Sequence, residues 1–167
     1  MRFSQTLLAF ASSVPLLARA VAIAVEQRTV STEHGTISAP TAGASAASGA
    51  SIPFAYIDNN WCHDGYSTIT VWLTDAEPTA NDVNSTSGEL DDALYQFGTY
   101  LIPNFGLQNL PGSTPPPSTL TIPDLATSNI ASGANLFLAV VETATACPPG
   151  INIPPQYGLT TVSLVAA

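Results

Sequence analysis

An α+β domain with a mostly antiparallel sheet of about five strands, one helix and one disulfide follows from three features of the sequence. Short apolar runs carry strand periodicity, one stretch carries helical periodicity, and the two cysteines lie far apart at Cys62 and Cys147. The same runs without the helix would make an all-β sandwich, which is the alternative.

The first strand is expected over residues 53–58, ahead of a turn-forming stretch rich in asparagine, aspartate and glycine that ends at Gly65. Residues 67–75 alternate: Ile69, Val71 and Leu73 take one face, and Thr68, Thr70, Trp72 and Thr74 take the other. These two strands are expected to pair as a hairpin. The helix is placed over residues 87–101. Thr86, Ser87, Gly88 and Glu89 match a capping box, Asp91 and Asp92 add negative charge to the first turn, and Leu90, Leu94, Phe97 and Leu101 recur at steps of three and four.

Beyond Pro103 the chain reads as an extended loop in which Pro111, Pro115, Pro116 and Pro117 remove donors and fix φ. Residues 118–122 form a short strand that Pro123 ends or marks as an edge. Within residues 135–143, the run from Leu136 to Val141 is apolar without alternation, so both faces are covered and the strand is central. Residues 159–165 supply the last strand.

The N-terminal third reads differently. Residues 1–20 have the form of a secretory signal: Arg2, a short apolar stretch over 7–17, and Ala18, Arg19 and Ala20 as a small-x-small cleavage frame, with a second frame ending at Ala24. The apolar stretch falls short of the roughly 20 residues that span a bilayer. Residues 21–51, dominated by Ser, Thr, Ala and Gly, are expected to be a flexible leader or pro-segment, because small side chains bury too little area to offset their ordering entropy. The folded extracellular domain is then 52–167, and His34 falls in the solvated leader.

Charge narrows the partners. All three basic residues, Arg2, Arg19 and Arg28, precede the expected domain, whereas ten carboxylates run from Asp58 to Glu142 and the formal net charge is −9. A region with no fixed cation builds no phosphate clamp and no nucleic-acid footprint, so nucleotides, nucleic acids and anionic membranes are excluded as partners. In the oxidising compartment that a signal implies, Cys62 and Cys147 are expected to form one disulfide, worth about 4 to 5 kcal/mol in the chain-entropy view. The sequon at Asn84, Ser85 and Thr86 is expected to carry an N-linked glycan.

The chemistry-bearing residues gather at Asp58, His63 and Asp64, flanked by Trp61, Tyr66 and Trp72. Counted from Asp58, the sixth residue is His63 and the twelfth is Ile69, so the calcium-loop pattern fails. A single histidine beside a disulfide leaves too few ligands for zinc. No Gly-x-Ser-x-Gly elbow is present; no catalytic residue, metal or cofactor is assigned. Carboxylate pairs remain, Asp58 with Asp64 or Asp75 with Glu77, whereas Asp91 and Asp92 on a helix would diverge by about 100°. The aromatics could form an exposed strip that stacks on sugar rings, against the competing reading that Trp72 is core. The function expected is a secreted acidic glycoprotein, a non-enzymatic module acting through its surface on a cell-wall glycan or another protein; the alternative is an acid-active hydrolase using two carboxylates. Stability is expected to hold or rise from pH 7 toward about pH 4, since protonation relieves self-repulsion.

Overall fold

The computed structural model describes residues 30–147 and 155–167. The expected secretory signal at residues 1–20, residues 21–29 of the expected leader and residues 148–154 lie outside the described residues.

The protein is mostly sheet. The strands are β1 (Val30–Ser31), β2 (Thr36–Ala39), β3 (Ala44–Ala46), β4 (Ser51–Pro53), β5 (Ala55–Ile57), β6 (Tyr66–Thr74), β7 (Tyr95–Pro103), β8 (Thr119–Thr121), β9 (Asn135–Ala144) and β10 (Gln156–Ala166). Helix among the described residues is confined to two 3-10 turns, Ala80–Asp82 and Leu125–Ser128. The main sheet runs in the order β1-β10-β9-β6-β7, with β3 also paired to β10. Two further pairs, β2 with β5 and β4 with β8, stand apart from it.

The alternation over β6 sorts residues onto two cores. Ile69, Val71 and Leu73 join Leu136, Leu138, Val140 and Leu164 on one face, covered by Ile52, Phe54, Leu120, Ile122 and Leu125. On the other face Trp72, Ala139, Val141 and Tyr157 are covered by Val83 and Leu90, which form an isolated bridge. The unbroken apolar run of β9 reflects its place between β10 and β6, covered on both faces.

Three expectations are corrected. The hairpin between 53–58 and 67–75 does not form: that first segment splits at Phe54 into β4 and β5, which pair with β8 and β2, while β6 pairs with β7 and β9. No helix occupies 87–101, whose second half is β7. A register shift opposite Val71 and Trp72 skips one residue, with Gly98 at φ 155; of the expected stripe, Leu94 and Phe97 pack three apart on the first core, whereas Leu90 packs in the second. The capping box itself exists earlier, at Thr79 and Asp82. Residues 30–51 are not a flexible leader, since they contain β1, β2, β3 and the start of β4. Backbone pairing orders them where side-chain area could not: β3 runs parallel to Leu164, Val165 and Ala166, and Gly43 N donates to Ser163 O at 2.9 Å.

Candidate functional site

The disulfide forms between Cys62 and Cys147, 85 residues apart, and packs with Ala144 and the half-buried Trp61. It joins the 58–65 loop to the chain just after β9. Asp64, 5 % exposed, reinforces the joint: its carboxylate accepts from Thr145 N at 3.1 Å and Ala146 N at 2.8 Å. Two backbone donors keep this carboxylate satisfied without a cation. Asp64 is therefore a brace for the cysteine loop and does not pair with Asp58.

The expected aromatic strip is not assembled. Trp72 is 7 % exposed, inside the second core, and its Nε1 donates to Thr70 Oγ1 at 2.8 Å. Trp61 donates to Gln156 Oε1 at 3.2 Å, and the half-buried Tyr66 donates to Gln108 O at 3.0 Å. His63 stands in water at φ 55 within a turn closed by its own N–H on Asn60 O at 3.0 Å.

Asp58 finds a different partner, Glu142. Glu142 sits near the end of β9, opposite Ile69 on one side and Gly158 on the other, and is 1 % exposed. β5 brings Tyr56 over it, and the Tyr56 hydroxyl donates to Glu142 Oε2 at 2.7 Å while accepting from Gly35 N at 3.1 Å. A side chain at position 35 would collide with the Ile57 carbonyl and the Tyr56 ring, so glycine is what admits this approach. Thr160 of β10 fastens the same corner by donating to Gly35 O at 2.9 Å.

Asp58 Oδ1 accepts from Asn60 N at 2.6 Å; its Oδ2 and the Oδ1 of Asn60 are buried without a donor. Glu142 is the acid that interacts with Asp58, and a proton on one of the two carboxyls relieves the charge repulsion between them. The electrostatics agree. Burial first, then the hydrogen bond to Asp58, push Glu142 up to about 8, against the lowering effect of Tyr56 and the Gly35 backbone. Burial would raise Asp58 too, but Glu142, Ser67, the Asn60 backbone and Asn104 hold it below the ordinary carboxylate range. Burial, then the adjoining Glu142, lift the Tyr56 phenol far above its ordinary range. Both shifts point the same way: the proton is favoured on Glu142 and the charge on Asp58.

Sequence reasoning missed Glu142. A signal was there: one acid inside a run covered on both faces has to be buried, and a buried acid needs a partner.

A second group of acids lies past the far end of β6. Asp75, Glu77, Asp82, Asp91 and Asp92 line an open recess beside Thr74 and Pro78. Asp91 and Asp92, which a helix would have spread apart, share this recess with the Asp75 and Glu77 pair. Among the described residues no group of three or more His, Cys, Asp or Glu side chains is arranged to hold a metal ion, and no helix is long and apolar enough to cross a membrane.

Apolar exposure concentrates in the loop after β7. Phe105 is 70 % exposed, and Leu107 and Leu110 are 44 % exposed. The loop is fastened by Leu107 N to Asn104 O at 2.9 Å, Ser113 Oγ to Leu110 O at 2.8 Å, and the Tyr66 hydroxyl. Asn84, in the sequon, sits in a tight turn and accepts through Oδ1 from Thr86 N at 2.9 Å and Ser87 N at 3.1 Å. No protein-family model, curated protein or solved structure matches this chain.

Proposed function

We propose that the chain is an exported, acidic, N-glycosylated and non-enzymatic module that works through the loop after β7, with an extracellular protein as its partner. The observation that carries this reading is the exposure of Phe105, Leu107 and Leu110 on a loop whose backbone is already tied down. Exposed apolar groups held in one arrangement lose little entropy on contact with a partner. A glycan partner is less favoured, because Trp72 is turned into the core and Trp61 lies against the disulfide. Export is supported by the signal-like N-terminus, the disulfide and the sequon. The scarcity of helix favours the sandwich-like alternative over an α+β arrangement.

Carbodiimide crosslinking of the protein within its own culture medium, which uses the chain's carboxylates in place of absent lysines, is expected to give a complex that Phe105→Ser with Leu107→Ser abolishes. Retention of wild type and variant alike on chitin or β-glucan beads, with no such complex, would overturn the reading.

The Asp58 and Glu142 pair favours a second reading, an acid hydrolase. The two side chains interact directly, which suits a dyad in which one carboxylate deprotonates water and the other acid protonates a carbonyl better than the spaced carboxyls of a glycosidase. The burial of Glu142 weighs against it. Cleavage of unfolded casein at pH 3 to 5 that Glu142→Gln abolishes would establish it, and absence of cleavage removes it.

A further inference from the structure

We propose that Asp58, Glu142 and Tyr56 form an acid-set latch: their shared proton holds the β2 and β5 pair on the main sheet, and losing that proton loosens this pair locally. The inference is independent of the surface function proposed above.

The geometry makes the proton necessary. Glu142 is enclosed at 1 % exposure, the Tyr56 hydroxyl is its hydrogen-bond donor, and the neighbouring Asp58 has a buried oxygen with no donor. The groups around the pair include no lysine or arginine. β5 contributes the neutral Tyr56 phenol; β6 and the end of β7 contribute Ser67 and Asn104, whose amide donates to Ser67 Oγ at 3.0 Å and Asp64 O at 2.9 Å. The chain before β2 contributes His34, hydrogen-bonded through Nδ1 to Gly35 O at 2.8 Å and facing Thr160 Oγ1 at 3.0 Å, and Glu33, which accepts from Asn59. No lysine or arginine follows Arg28. A second ionised carboxylate here has no counter-charge, and unpaired buried charge is relieved by letting in water.

The element that yields is short. β2 and β5 pair only with each other, with a register shift between Ile37 and Ala39, whereas β3 and β4 on either side are secured to β10 and β8. Beyond β5, the disulfide at Cys62 limits the movement. The hydroxyl of Tyr56 and the oxygens of Glu142 and Asp58 would meet water while the rest of the sheet stays paired. The proton leaves Glu142 for solvent, and no other bond is broken.

The sign follows from where the proton is held. Glu142 keeps it up to about 8 in the closed form and releases it near its ordinary value of 4.5 once open. Between those values the closed form binds more protons, so opening becomes more favourable as pH rises, by about tenfold per pH unit.

Amide hydrogen exchange on the full, disulfide-bonded chain, corrected for the intrinsic pH dependence of exchange, tests this. From pH 5 to 8 the opening equilibrium of Gly35–Ala39 and Ala55–Ile57 is expected to rise toward tenfold per unit and to stay well above that of β4 and β8 throughout. Glu142→Gln is expected to flatten the profile. Asp58→Asn is a second variant that keeps the fold testable: it removes the neighbouring charge that raises Glu142 in the closed form, so the rise should level off at lower pH. A flat wild-type profile, the same rise in Glu142→Gln, or opening of these segments no more frequent than that of the main sheet at pH 8 would overturn the latch.

Discussion

Near the start of β6 the carboxyls of Asp58 and Glu142 are drawn into the protein, whereas just past its end Asp75, Glu77, Asp91 and Asp92 stand in water around an open recess. The side-chain chemistry is the same at both ends; the supply of hydrogen-bond donors and the degree of enclosure differ. In a domain without lysine or arginine, a carboxylate has three ways to be satisfied. It stands in water, as at the recess; it takes backbone donors, as Asp64 does from Thr145 and Ala146; or it keeps a proton, as Glu142 does. The place in the fold decides which.

The sharpest way to break this contrast is to untie the enclosed end. Replacing both cysteines by serine is expected to lower stability by about 4 to 5 kcal/mol in the chain-entropy view, read as a fall in urea midpoint. The pH profile comes next. Glu142, raised from 4.5 to about 8, gives the native state an extra proton between those values, so stability falls as pH rises through that window. The slope is at most about 1.4 kcal/mol per pH unit, the effect of one proton. Asp58, lowered from 3.8, acts in the opposite sense, and its contribution is lost as pH falls below that value. Melting temperatures are therefore expected to peak near pH 4, and Glu142→Gln should flatten the alkaline side. Asp64→Ala, which leaves two backbone N–H groups beside the disulfide without their acceptor, should cost about 1 to 3 kcal/mol in urea titrations at pH 7. At the open end, Glu77→Gln and Asp92→Asn should change stability by no more than about 0.5 kcal/mol. A large loss there would mean that the recess is more enclosed than its exposed side chains indicate.

Much of the main sheet is legible in the residues. The alternation over β6, the two-sided apolar run of β9 and the Leu, Thr and Val pattern of β10 each follow from which faces are covered. The pairing of Cys62 with Cys147 is legible from their number and compartment. The helix expected at 87–101 is a failure with a cause, because a bulge at Gly98 turns a period of two into an apparent three. Residues 30–51 were opaque for another reason: their order comes from main-chain bonds to β10 and β8, and composition does not register main-chain bonds. The candidate site was half legible. Asp58 stands out in its loop, but its partner lies across the sheet, as the 86-residue separation of Tyr56 and Glu142 illustrates, and only the fold closes that gap.

Both β1 and β3 lie parallel to β10, with Val30 opposite Tyr157 and Ala44 opposite Leu164. β1 and β3 are thus completed by a strand that lies far along the chain from both of them. Contacts between such distant segments close slowly, so these two pairings are expected to form late in folding.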